Sequence, residues 1–383
     1  MSQNLKARLS RIRNTSKSPP LIDDIISDEI SDEKTFDKNT WPGWEREGNF
    51  VYKRKLFRKL PHFIPSSFSS SLSLLLPDLI PFCKNNSDIL IHIEDLLFFD
   101  IETTGLSGGA GTIAFLAAFG RFAKEGIHIT QYLLLDYPGE NCFLEEALKE
   151  FESSNNGSNF PILVTYNGKC FDTQILKSRC FMNGFEPPSF NHADLLHSAR
   201  RLWKKLLPDC SQGTIEERVL GLDRSGDIPG AFAPEIWFSF LKTNENADLL
   251  KICDHNVLDI SGLSCLFLAM AEIADDPFMA IKNIPYDTEA LAILFYRNFR
   301  KNPTLYNEEE KGIMELLMER AARNSFLPAA IILAIEAEWS LHNYDLALQY
   351  TEYALMGSSL TESQMEELGK RKKRLLGKME RNS

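Results

Sequence analysis

Apolar residues follow two rhythms along this chain. In its middle they form runs of strand length, Leu90–Phe99, Thr112–Phe122 and Ile127–Leu135, the last two joined tightly by Lys124-Glu125-Gly126. Such runs between turn residues predict a meander of three antiparallel strands. The rhythm then lengthens. Asn141–Phe151 sets Phe143, Leu144, Ala147, Leu148 and Phe151 on one helical face, Ser153–Asn159 is a polar loop, and Ile162–Tyr166 is a further short buried strand. Helices are predicted over Asp172–Met182 and Ala247–Met270. Three strands, a helix, a strand and more helices predict an α/β layered domain, a mixed sheet flanked by helices.

From Pro285 onward the period is helical throughout, with helices predicted over Asp287–Asn298, Glu308–Arg323, Pro328–Leu341, Asp345–Met356 and Ser363–Met379. Thr361 and Gln364 have the spacing of a capping box for the last of these. Trp339, Tyr344, Ala347, Leu348, Ala354 and Leu355 are placed as in one tetratricopeptide-type (TPR-like) unit. An ordinary helical bundle accounts for them equally well. The reading divides the chain into a flexible N-terminal arm at 1–40, a covering segment at 41–88, an α/β domain at 89–275 and a helical region at 285–383.

Composition narrows the class. Of 383 residues, 44% are hydrophobic and 25% charged, ordinary values for a globular protein with a sizeable core. A net charge of −11 argues against a protein that coats nucleic acid electrostatically, yet allows a local basic track beside an acidic site. Seven cysteines without a C-x-x-C pair fit a reducing compartment better than a disulfide framework or zinc site. No uninterrupted apolar run nears the ~20 residues of a membrane span, and the basic N-terminus lacks a signal peptide's apolar core, so a cytoplasmic protein is expected.

Candidate chemistry begins at Phe99-Asp100-Ile101-Glu102-Thr103-Thr104-Gly105. Residues two apart on a strand share a face, so Asp100 and Glu102 project together. Side by side they repel unless a cation lies between them, and a divalent metal with oxygen ligands suits that place. Solvated acids at a strand end are the plainer alternative. Further acids follow in ordered contexts. Asp172 falls in the first turn of a helix after Tyr166-Asn167-Gly168, where the dipole alone favours it. Asp194 either supports a site or starts a helix. His255 and Asp259 are four apart on one helix face, the spacing also of a simple surface pair. The Gly108-Gly109-Ala110-Gly111 turn lacks the G-x-x-x-x-G-K-[ST] of a phosphate-binding loop.

As an ordered set, D-x-E-T-T-G-L at a strand end, N-x-x-x-F-D and a helix with H-N-x-x-D resemble the DEDD superfamily of metal-dependent 3′–5′ exonucleases, which have an RNase H-like fold. More closely, Phe99–Phe115, Val164–Asp172, His192–Trp203, Thr214–Leu222, Asp227–Gly230 and His255–Asp259 resemble the bacterial YprB-like group, over roughly residues 40 to 275. The resemblance implies that Asp100, Glu102, Asp172 and Asp259 hold two divalent ions, Mg²⁺ or Mn²⁺, about 4 Å apart across a phosphodiester. It puts His255 in the place of the general base. Histidine members of the superfamily set this residue five positions before the last Asp and tyrosine members four; here it stands four before. Asn167 and Phe171 would order the second motif, Lys169 would meet phosphate, and Thr103 and Leu106 would line the terminal nucleotide. The Asp227–Gly230 segment carries no chemistry that the sequence reveals.

Basic residues offer two candidate tracks for the substrate. Arg200, Arg201, Lys204 and Lys205 surround Trp203, which either stacks on a base or lies in the core. Lys53, Arg54, Lys55, Arg58 and Lys59 read first as a solvated face. The expected partner is a single-stranded DNA or RNA 3′ end, with the C-terminal helices free for a protein. Two other functions stay open: a non-catalytic nucleic-acid-binding or interaction protein, and an endonuclease on the same fold.

Overall fold

The computed structural model describes residues 41–61, 76–81, 92–105, 111–152 and 160–382. From Gly43 on, the described residues form one compact unit. Its centre is a mixed seven-stranded sheet in the order β1-β2-β5-β4-β3-β6-β7. The strands are β1 (Trp44–Gly48), β2 (Val51–Lys59), β3 (Leu96–Thr103), β4 (Ala114–Ala123), β5 (Gly126–Leu134), β6 (Ile162–Thr165) and β7 (Asn191–Asp194). From β1 to β3 neighbours run antiparallel, and β6 and β7 continue parallel to β3.

Strand β3 lies deep in the sheet, between β4 and β6, which is why its apolar run is continuous rather than alternating. Two helices early in the chain, α1 (Leu76–Leu79) and α2 (Glu140–Leu148), precede α3 (Asp172–Met182), α4 (Leu196–Trp203), α5 (Gln212–Arg218) and α6 (Ala233–Thr243). The long α7 (Ala247–Asp275) then crosses β3, β4 and β5. It comes so close that a Cβ on Gly120 of β4 would lie 2.6 Å from Ile260 Cγ2. Opposite α7, Phe99, Phe119 and Phe151 form a cluster of ring contacts under α2.

The predicted meander, the helix after it and the next strand are present. The first strand is displaced, running on through Thr103, so the paired acids sit within it rather than at its end; Leu90 and Ile91 lie outside the described residues. Several elements were not foreseen, among them the short helices α1, α5 and Pro277–Ala280. The charged stretch after Trp44 is the β1–β2 hairpin, which extends the sheet, and Asn191–Asp194 and Ala233–Thr243 are a strand and a helix. Trp203 is core, with its indole N–H donated to the Pro285 carbonyl at 2.7 Å, so the basic residues around it carry no stacking aromatic. The predicted N-terminal arm lies outside the described residues.

Beyond α7 the chain is helical: α8 (Pro277–Ala280), α9 (Thr288–Lys301), α10 (Glu308–Arg323), α11 (Leu327–Trp339), α12 (Tyr344–Leu355) and α13 (Glu362–Asn382). From α9 on, each helix packs on the next. Thr361 and Gln364 do form reciprocal caps, at 2.9 and 3.3 Å. Among the described residues α7 alone is long and apolar enough to cross a membrane, and 83% of its apolar window is buried inside the protein. It is the core helix of this fold.

Candidate active site

Three elements converge where β3 meets α7. Strand alternation turns Asp100 and Glu102 to the face that α7 covers, and α7 brings His255, Asn256 and Asp259 to meet them. Asp172 opens α3, just beyond the end of β6, the neighbour of β3.

Ligand atoms of Glu102, His255 and Asp259 all lie within 4.8 Å of one another. His255 Nε2 is 3.1 Å from Asp259 Oδ2 and 3.8 Å from Glu102 Oε1. Asp100 and Asp172 stand outside this tight group but within its electrostatic field. Asp100 Oδ2 accepts a hydrogen bond from Asn256 at 2.7 Å.

Burial and mutual repulsion govern the charge of these groups. Burial first, then the fields of Asp259, Asp172 and Glu102, push the Asp100 carboxyl well above its ordinary range. Glu102 is raised to about 8, chiefly by burial, against the favourable field of His255. Burial likewise raises Asp172 to about 7. Asp259 goes the other way: burial opposes ionisation, but His255 and Arg224 together outweigh it and hold the pKa low. Burial disfavours the His255 imidazolium, yet hydrogen bonds to Asp259 and Asp227 with the field of Glu102 raise it to about 9. Buried carboxylates that are hard to ionise for want of positive charge, with mainly oxygen donors and one imidazole, fit a hard divalent cation.

Two residues that the sequence left without a role belong to this site. Asp227 grips His255 from behind, its two oxygens 2.8 and 2.9 Å from Nδ1. Arg224 spreads over three acids: it hydrogen-bonds Asp259, its Nε lies 2.6 Å from Glu216, and Nη1 lies 3.5 Å from Asp227. Gly230 closes the same loop over the site, where a Cβ would stand 2.9 Å from His255 Nε2 and 3.6 Å from Glu102 Oε1. Arg224 and Asp227 lie between regular elements, where no periodicity marks them, and Gly230 begins a single 3-10 turn. Only the D-x-P-G turn pattern could have drawn attention to the loop.

Of the remaining predicted positions, Thr103, Asn167, Lys169 and Phe171 lie within the described residues. Thr103 is buried, its hydroxyl donated to the Gly105 carbonyl at 2.9 Å, and Leu106 lies outside the described residues. Asn167 is exposed in a left-handed turn at φ 64°, a conformation that Asn tolerates well. Lys169 is exposed, and Phe171 is half-buried at the start of α3. Asp194 serves both of its expected uses. It accepts from the Asn167 and Lys169 amides at 2.9 and 3.0 Å and from the Leu196 amide at 3.1 Å, tying the turn before Asp172 to the start of α4.

A family profile of the RNase H superfamily matches residues 97–271, the stretch that carries this whole constellation. The uncharacterized protein YprB of Bacillus subtilis (strain 168) is 33% identical over 315 residues, which cover 74% of this chain and 74% of YprB. The chain belongs to the RNase H superfamily. Its YprB-like sequence, nuclease-type fold and buried acidic centre agree, and the YprB match exceeds the profile's span, so it reaches beyond the superfamily core.

Proposed function

We propose that this protein is a metal-dependent nuclease of the DEDD type, which hydrolyses phosphodiester bonds from the 3′ end of single-stranded DNA or RNA. The observation that carries the reading is the meeting of Glu102, His255 and Asp259 ligand atoms within 4.8 Å, beside two further carboxylates, half-buried Asp100 and buried Asp172, whose ionisation their surroundings oppose. The 3′-to-5′ polarity rests on the resemblance of the motifs. Asp100, Glu102, Asp172 and Asp259 would hold two divalent ions, Mg²⁺ or Mn²⁺. Bound there, such ions would acidify the attacking water and stabilise the leaving oxygen.

The chain's own residues would do the rest. In the metal-free site the His255 imidazolium prevails, but cations bound beside it would oppose that charge; the neutral ring then donates Nδ1–H to Asp227 and keeps its lone pair on Nε2, the nitrogen that faces Glu102 and Asp259. That atom is placed to accept the proton of the attacking water. Lys169, exposed beside Asp172, would meet a backbone phosphate, with Asn167 and Phe171 shaping the turn around the 3′ nucleotide and Thr103 and Leu106 lining it. The 89–275 region would form the nuclease, preceded by its covering segment, with the C-terminal helices, TPR-like or simply bundled, free for a protein partner. A cytoplasmic location fits this role.

The test is 5′-labelled single-stranded DNA and RNA with Mg²⁺ or Mn²⁺, wild type beside Asp100→Ala and Asp172→Ala. A ladder shortening from the 3′ end is expected, weakened by about 10³-fold or more in both variants, the scale of removing a main transition-state stabiliser. Internal cuts from the outset would make it an endonuclease. No cleavage by folded, metal-loaded wild type would leave a binding protein on a nuclease fold.

A further inference from the structure

The hairpin β1–β2 lies outside the stretch matched by the superfamily profile, yet a continuous hydrogen-bonded path runs from it to Asp100. Arg54, on β2, donates from Nε and Nη2 to Gln131 Oε1 at 3.0 and 2.7 Å. Gln131, on β5, donates from Nε2 to Asn256 Oδ1 and to the Cys253 carbonyl, both at 2.8 Å. Asn256, on α7, donates from Nδ2 to Asp100 Oδ2 at 2.7 Å. Gln131 and Asn256 are both wholly buried.

We propose that Arg54 is a positioning residue for Asp100, acting through an amide relay whose direction it sets. The inference rests on the metal-dependent reading above. An amide can turn over and exchange its donor for its acceptor, so neither Gln131 nor Asn256 fixes its own orientation. A guanidinium only donates. It therefore holds Gln131 with its oxygen outward and its NH₂ towards Asn256, which must answer with its oxygen and present its own NH₂ to Asp100. Reversed, the relay would aim an amide oxygen at a carboxylate. Among the described residues no hydrogen bond engages Asp100 Oδ1, so the relay fixes one oxygen and leaves the other for a ligand.

Arg54 is itself held at both ends. Its guanidinium lies 4.9 Å from the Trp44 ring on β1 and 3.0 Å from Asp254. The hairpin thus belongs to the active unit rather than merely covering it. Lys53 and Lys55, its neighbours in sequence, alternate to the opposite face of the strand, so of the three cations only Arg54 reaches the relay.

The experiment titrates Mn²⁺ into the full chain by calorimetry, with melting of the metal-free protein as the check of folding. Asp100→Ala is the control for the reading. Gln131→Glu keeps the acceptor for Arg54 but turns an oxygen towards Asn256, forcing that amide over. Arg54→Met removes the donor altogether, and Arg54→Lys restores a donor without the fork. Gln131→Glu and Arg54→Met should each weaken Mn²⁺ binding by about 10–100-fold, the usual effect of removing support behind a metal ligand, and Arg54→Lys should recover part of it. Wild-type Mn²⁺ affinity in a folded Arg54→Met or Gln131→Glu protein would overturn the relay while leaving the metal site intact. Should Gln131→Glu not fold, Arg54→Met decides. If wild type and Asp100→Ala behave alike towards Mn²⁺, the metal-site reading itself fails, and the relay's purpose with it.

Discussion

Two parts of this molecule bury charge in opposite ways. In the C-terminal helices Glu338 of α11 is wholly buried, and three cations of α13 converge on it: Arg371 at 3.1 Å, Arg374 at 2.8 Å and Lys378 at 2.9 Å. Burial opposes its charge, but Arg374 and Lys378 outweigh burial and hold its pKa below the ordinary value. At the candidate active site the imbalance has the other sign. Among the described residues, the ion pairs of Glu102, Asp227, Asp259 and Glu216 are with Arg224 and His255, Asp100 and Asp172 have none, and burial drives several of the carboxyls up. A buried charge with surplus partners closes on itself and joins helices. Buried charges with too few partners tolerate that arrangement only if something else completes them.

The largest expected effect is therefore in metal and pH. His255 is raised to about 9, so its imidazolium adds stability that is complete below the unfolded value of about 6.5 and is lost as pH rises through 9. Glu102 and Asp172, raised to about 8 and 7, act with the same sign: the folded state keeps their protons, and stability falls as pH carries each group through its raised value. Asp259, held low, matters only in acid, where its contribution is lost as pH falls. Metal-free protein should accordingly melt at lower temperature at pH 9 than at pH 6. Mn²⁺ at a hundred times its Kd should add about 2.7 kcal/mol, flatten that slope and release protons. A melting curve indifferent to Mn²⁺ at every pH would break the contrast between the two regions.

Legibility in the sequence follows the same physics. Continuous apolar runs bounded by turn residues marked the meander, whose first two strands are buried on both faces, and helical periodicity marked the C-terminal helices, which bury one face. Alternation likewise put Asp100 and Glu102 on one side of β3. The β1–β2 hairpin escaped because Val51–Lys59 carries five basic residues, one of them turned inward to Gln131. Neither Gln131 nor Asn256 could be read from the chain, since a polar residue inside a strand or helix shows its partner only once strand register is known. Asp227 and Arg224 lie between regular elements, and loops place side chains by tertiary contact alone. Trp339 misleads in the other direction: it fits a packing position of a tetratricopeptide unit, yet is 58% exposed.

The Glu338 cluster should respond to substitution as structure alone. Glu338→Gln keeps the volume but removes the charge that three cations share. Those cations reach water more readily than Glu338 itself, so they can be rehydrated, and the loss should be about 1.5–3 kcal/mol, the range for hydrogen bonds to a charged group. Urea unfolding at fixed pH measures it. Mn²⁺ affinity and cleavage should stay at wild-type levels, and a parallel loss of either would show that the helical region and the acidic centre are energetically joined.

The smallest effect tests how far the C-terminal join depends on charge. Lys378, besides reaching Glu338, places its ammonium 4.3 Å from the Trp339 ring and 5.2 Å from that of Tyr344. The ring faces hold the lysine over Glu338 and keep it from straying into solvent. Because Trp339 is so exposed, the cation–π contact is worth only about 0.5–1 kcal/mol. Trp339→Ala should cost that much in urea unfolding, with no effect on Mn²⁺ binding. In a Glu338→Gln background the cost should shrink, since the lysine no longer has a carboxylate to be held against. An undiminished cost there would mean that Trp339 and Glu338 join the helices independently, and that packing, not charge, governs this end of the molecule.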